Sequence, residues 1–148
     1  PSTHVVTVSD QSTTTLEIAL APDIAVSMTS SVALGNSIAI DFQAPGDPLA
    51  PYLAALGFSG IANPGFPINA CFFPLEIDAV VLYSIQNLPP FFDFAGALDA
   101  AGHAQGTIQI PAEPALAGQV CHVAFVTFVP ASFALRHVSA AGTFTITP

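Results

Sequence analysis

Residues 37–43 read SIAIDFQ, and their alternation decides the fold class. Ile38, Ile40 and Phe42 fall on one side of an extended chain, while Ala39 and Asp41 fall on the other. A two-residue period is the mark of a half-buried β-strand, because successive side chains leave opposite faces. Gly35-Asn36 precedes the run as a turn. APGDPLAP follows as a loop, since its prolines cannot donate to a sheet ladder.

The same pattern recurs on both sides. Upstream, Thr3 to Val8 and Thr14 to Leu20 read as two strands joined by the polar turn Ser9-Asp10-Gln11-Ser12, with a weaker strand over Ile24 to Thr29. Downstream, strands are expected over Tyr52 to Phe58, Leu75 to Ile85, Phe91 to Leu98, Ala104 to Ile110, Gln119 to Val129 and Arg136 to Ile146, with a Gly/Pro loop over Ser59 to Asn69. No segment of ten or more residues combines helical periodicity with caps. The run Gln119 to Val129 is apolar on both faces, Cys121, Val123 and Phe125 on one and Val120, Ala124 and Val126 on the other. A central strand, or an edge strand at a subunit contact, has this pattern. Asp99-Ala100-Ala101-Gly102 fits a type I hairpin turn, with Asp99 accepting backbone bonds and Gly102 at positive φ. The chain is therefore expected to be one all-β domain over 1–148, an antiparallel β-sandwich of Greek-key or jelly-roll kind with about 8–10 strands.

Composition narrows the partners. Charged residues make up 7% of the 148 residues and hydrophobic ones 52%, against about 25% charge in ordinary domains; mean hydropathy is +0.66. A folded monomer of this mass exposes roughly 7,000 Å². Eleven Asp, Glu and Arg residues cannot cover it, so part of the surface is expected to meet a partner. Net charge is −9 with Arg136 as the one strong cation, which argues against nucleic acid and anionic membrane surfaces. The uncharged stretches 48–75 and 114–135 are broken by Pro, Gly and polar residues, so neither reads as a transmembrane span. A sequence starting at Pro1 fits an exported protein whose signal peptide has been removed. Cys71 and Cys121 permit one intramolecular disulfide, which would close a loop of about 50 residues and contribute roughly 4 kcal/mol. Two buried thiols are the alternative.

Candidate chemistry is sparse. Asp99, His103 and His122 crowd together in sequence but lack the HxxxH or CxxC spacing that gathers metal ligands. Asp41 and Asp47 bracket a Pro/Gly loop, and Asp93 and Asp99 flank a turn, without the DxDxDG array of a calcium loop. No GxSxG elbow or SxxK is present. Glu17, Glu76, Glu113 and the aspartates offer carboxylate pairs only as any ten acids would. A sugar face would want Trp or Tyr platforms, and only Tyr52 and Tyr83 are available. Phe66, Phe72, Phe73, Phe91, Phe92 and Phe94 are expected mostly in the core, with one ring of each adjacent pair sent to the opposite face. No catalytic residue, metal or cofactor is assigned.

A set of ordered motifs carries a resemblance. They are Val32 to Asn36, Leu53 to Gly60, Gly65 to Leu75, Phe94 to Pro111 (FxGxLDAxGxA before IxIP), Pro114 to Val129 (PxLAG before a strand) and Ser139 to Ile146. From about Val32 onward the chain resembles a β-sandwich domain common in bacterial secreted proteins, alone or at the C-terminus of longer ones. The resemblance implies export and no defined activity, and residues 1–30 lie outside it as extra N-terminal strands.

The function expected is a non-enzymatic exported structural protein that self-associates through sheet edges or apolar faces, as a filament or surface-layer subunit. Thr3, His4, Val5, Val6, Thr7 and Val8 form the candidate assembly strand, able to add to a neighbour's sheet edge; an ordinary first strand is the plainer reading. The alternative is an accessory module binding polysaccharide or cell-surface material. An enzyme built from distant acids comes third.

Overall fold

A computed structural model describes the backbone of residues 3–10 and 12–19, and residues 24–69 and 71–148 in full. β1 (Thr3–Asp10) and β2 (Ser12–Ala19) pair antiparallel with Thr3 opposite Ala19. The assembly role expected of Thr3, His4, Val5, Val6, Thr7 and Val8 depends on side chains outside the described residues.

The chain continues through β3 (Ala25–Met28), β4 (Ser31–Ala33), β5 (Ser37–Gln43), β6 (Pro51–Gly57), β7 (Ile61–Ile68), β8 (Cys71–Leu75) and α1 (Ala79–Ser84). It closes with β9 (Phe91–Phe92), β10 (Ala95–Ala97), β11 (His103–Gln109), β12 (Val120–Phe128), β13 (Leu135–Val138) and β14 (Gly142–Thr147). One sheet has the order β3-β5-β11-β9; the facing sheet runs β10-β6-β12-β14-β4, with β13 also on β12. Neighbours such as β5–β11 and β6–β12 are far apart in sequence, so the chain passes repeatedly between sheets. The pairings are antiparallel except β14–β4, which is parallel. The expected all-β, predominantly antiparallel architecture is the observed one.

The core lies between the two sheets. β5 contributes Ile38, Ile40 and Phe42, and β12 contributes Cys121, Val123 and Phe125, the faces their alternation predicts. Phe42 is the hub, with ring centroids 5.4 Å from Tyr52, 5.2 Å from Phe125 and 6.0 Å from Phe94. β12 is central, bonded to β6 along one edge and to β14 and then β13 along the other. Its apolar outer face is covered because the β7–β8 hairpin and α1 lie over it, forming a second core with Ala55, Phe73, Leu75, Val81, Ala124 and Val126.

The structure corrects several expectations. Residues 59–69 are largely strand, not loop: β7 lies in a separate two-stranded sheet with β8, where prolines need not serve a central ladder. The expected strand Leu75 to Ile85 holds α1 instead, because Asp78 caps a helical turn. The expected strand Phe91 to Leu98 divides, β9 joining β11 and β10 joining β6, as the chain crosses sheets through Asp93 at φ 55°. Arg136 to Ile146 also divides, into β13 and β14, which stay in one sheet but pair with separate stretches of β12.

The expected disulfide does not form, and both cysteines are free thiols. Cys121 points into the core between the sheets. Cys71 pairs opposite Ile68 in the β7–β8 hairpin, which packs on the outer face of the same sheet, so the two cysteines belong to different layers. Burial pushes the Cys121 thiol up to about 12. At pH 8 its thiolate fraction is then about 10³-fold below that of an ordinary thiol. Non-reducing labelling should therefore modify half-buried Cys71 first and Cys121 only on unfolding. Recovery of a Cys71–Cys121 cross-linked peptide from fresh protein would contradict this arrangement.

Candidate functional site

The site begins at a strand edge with no full strand beside it. Beyond the short β10, the free edge of β6 would present unpaired backbone N–H groups, each costly if buried unmet. They recur at period two and each finds an acceptor. Ala54 N–H donates to the Phe94 carbonyl (2.6 Å), Leu56 N–H to Ser84 Oγ (2.9 Å), and Phe58 N–H to Asp78 Oδ2 (2.8 Å). Side chains of α1 and its cap thus take the place of a strand. Asp78 also accepts from Ser59 N–H at 2.9 Å on Oδ2, and from Val80 and Val81 N–H at 2.9 and 2.8 Å on Oδ1. Buried Ser84 donates to the Val81 carbonyl (2.9 Å). The helix approaches so closely that a Cβ on Gly57 would lie 2.8 Å from Val81 Cγ2.

Burial raises the Asp78 carboxyl, but the N–H donors of Val81, Phe58 and Ser59 outweigh it, and the net shift is downward. A depressed carboxylate contributes stability that is fully present above its unfolded value near 4 and is lost as pH falls through the folded value. Asp78→Ala should cost about 2 kcal/mol at pH 7, the upper end for an N-cap because the edge of β6 also loses its acceptor. The difference from the parent should shrink below about pH 4. Urea melts at pH 7 and pH 3 check both expectations.

Held in this way, α1 and the β7–β8 hairpin leave between them an apolar cleft of about 280 Å³. Leu53 and Ala55 of β6 and Val126 of β12 form its floor, and Phe66, Ile68 and Phe73 one wall. Ile77, Val81, Leu82 and Ile85 form the other wall. The wall rings are set by register: Phe66 pairs with Phe73 and both face the cleft, while Phe72, opposite Pro67, turns outward. Phe66, Ile77, Leu82 and Ile85 at the rim are 37–54% exposed. Together they present roughly 400 Å² of apolar side chain, within the range of the largest and often functional patch on a monomer.

The residues singled out in sequence do not converge. Asp99 is a turn residue whose Oδ1 accepts from Ala101 and His103 N–H (2.8 and 2.9 Å). These bonds, that from His103 foremost, lower its pKa. Gly102 has φ +76°, and a Cβ there would strike the Ala44 carbonyl, so the turn requires glycine. His103 Nε2 lies 3.5 Å from Asp41, and His122 Nδ1 lies 3.2 Å from Thr143 Oγ1. Asp93 and Glu113 serve turns, and Glu113 caps a single 3₁₀ turn. Tyr52 is buried and Tyr83 donates to the Pro89 carbonyl (2.7 Å). Phe73, Phe91 and Phe94 are core, Phe92 is half-buried, and Phe66 and Phe72 are exposed. No group of three His, Cys, Asp or Glu side chains gathers among the described residues.

One polar cluster was hidden from the sequence. Asp47, with a side chain 0% exposed, accepts from Thr127 Oγ1 (2.5 Å) and lies 2.7 Å from His137 Nδ1 through Oδ2. Arg136 Nε sits 2.9 Å from Oδ1 as an ion pair, without an aligned hydrogen bond to that oxygen. Asp47 enters sequence reasoning as a possible calcium ligand and as one of many carboxylates; the signal for its real partners was that Arg136 is the only strong cation. The cleft itself was missed because 75–85 reads as a strand, although Asp78 before an apolar run is an N-cap signal.

Fold and site together define an all-β sandwich whose outer sheet face carries an uncharged, open cleft. No family model matches the chain, and no curated protein matches it. Among the described residues no helix is long and apolar enough to cross a membrane.

Proposed function

We propose that the protein is a non-enzymatic structural subunit that self-associates through the apolar face around the α1/β7–β8 cleft, and that it acts after export at or beyond the cell surface. The observation that carries this reading is the exposure of Phe66, Ile77, Leu82 and Ile85 around one cleft, with no charged side chain among the cleft's lining residues. A standard interface covers about 800 Å² per partner, of which about 57%, or roughly 450 Å², is non-polar. The apolar area presented here is of that size. A folded monomer of this mass exposes roughly 7,000 Å² with eleven Asp, Glu and Arg residues to solvate it, which also favours a covered surface. Export rests on the resemblance of Val32 to Ile146 to secreted β-sandwich domains, and not on a disulfide.

Light scattering coupled to size exclusion tests the association. A mass rising with concentration above the 15.1 kDa of one chain is expected, and Leu82→Glu, at a position 54% exposed, should return a folded monomer. A constant mass of one chain at every concentration would overturn the reading.

A further inference from the structure

A cleft that takes up a second copy needs something on that copy to fill it. Phe133 is 70% exposed, the most exposed large hydrophobic side chain described. It stands in the short loop between β12 and β13 with φ 53°. A bulky side chain in the left-handed region is a strained placement, kept only where surrounding structure enforces it. Here the enforcement is visible. Phe133 N–H and Ser132 N–H both donate to the Val129 carbonyl (2.8 and 3.2 Å), and Val129 N–H donates to the Ala134 carbonyl (2.8 Å). The loop therefore holds an aromatic ring out in water on a hydrogen-bonded turn, at a position where glycine would suit the backbone better.

Knob and cleft are matched in size and chemistry. A cavity of about 150 Å³ lined by aliphatic and aromatic side chains suffices to bind benzene, and this cleft has about 280 Å³ with an apolar lining. Their charges are compatible as well. Residues 114–148, which include the knob, contain no Asp or Glu, and the carboxylate packed against them, Asp47, is buried and paired with Arg136 and His137, so this segment brings no exposed acid of its own towards a chain of net charge −9. We propose that Phe133 of one copy inserts into the α1/β7–β8 cleft of a second copy. This contact rests on the self-association reading and names what occupies the cleft. Because knob and cleft are different surfaces, the contact can repeat from copy to copy and build a chain of subunits, or close into a ring or reciprocal dimer where the geometry returns on itself.

The test uses Phe133→Ser, which removes the knob and keeps the cleft, and Leu82→Glu, which spoils the cleft and keeps the knob. Each alone should lower the association constant by roughly 30-fold or more, the weight of a hot-spot aromatic contact. An equimolar mixture of the two should form heterodimers, since one intact knob meets one intact cleft. Phe133→Gly should associate as poorly as Phe133→Ser while melting no lower than the parent, which separates a lost contact from a damaged fold. If Phe133→Ser assembles like the parent, or the mixture stays monomeric, the knob contact is overturned while self-association stands. If the parent itself is monomeric at every concentration, the self-association reading falls and the contact falls with it.

Discussion

Phe42→Ala is expected to lower the unfolding free energy by about 4 kcal/mol, the middle of the range for deleting a buried phenyl ring. Phe42 is fully buried and touches aromatic rings from three other parts of the chain, Tyr52 on β6, Phe125 on β12 and Phe94 between β9 and β10. Its removal opens a cavity whose walls belong to both sheets, so neither can collapse into it without moving the other. Tilted and edge-on ring pairs are lost as well, each worth about 1 kcal/mol beyond the buried area. Urea denaturation should show a lower midpoint with an unchanged slope. A loss below about 1 kcal/mol would mean that the sheets are not packed around this ring.

Asp47→Ala is expected to cost about 3 kcal/mol, by a different mechanism. The carboxylate is sealed at the end of the sandwich, where it ties the loop before β6 to β12 and β13. Removing it leaves the Thr127 hydroxyl, itself fully buried, without its acceptor, and frees Arg136 and His137. The loss stays near the lower end for breaking a buried pair, because the Arg136 and His137 side chains are 40% and 29% exposed and water can reach them. Asp47→Asn keeps an acceptor for Thr127 and should lose less. Melts of the two variants, compared with the parent, check the order. Equal stability of Asp47→Ala and parent would show that the cluster does not hold the loop.

The first of these sites is half legible in the sequence. SIAIDFQ places Phe42 inward by alternation alone, and the two-sided apolar run of β12 announces a covered strand. Neither run says that Phe42 will meet Phe125 and Phe94, because those contacts depend on which strands stand opposite each other. The Asp47 cluster is less legible still: an acid in a Pro/Gly loop looks like a solvated turn residue until a strand some 90 residues later brings Arg136 and His137 against it. The cleft depended on a helix of six residues, too short for any helical period to accumulate in its sequence.

Local rules fixed the all-β class, the inward faces of β5 and β12, and the Asp99–Gly102 turn, because alternation and turn chemistry act over a few bonds. Tertiary structure alone decided that Cys71 and Cys121 belong to different layers, that α1 serves the free edge of β6, and that Phe133 stands out from a strained loop while an apolar cleft remains open. These outcomes depend on strand order and on which layer covers which face. A two-residue period carries no information about either, since it assigns each side chain a face but not a neighbour.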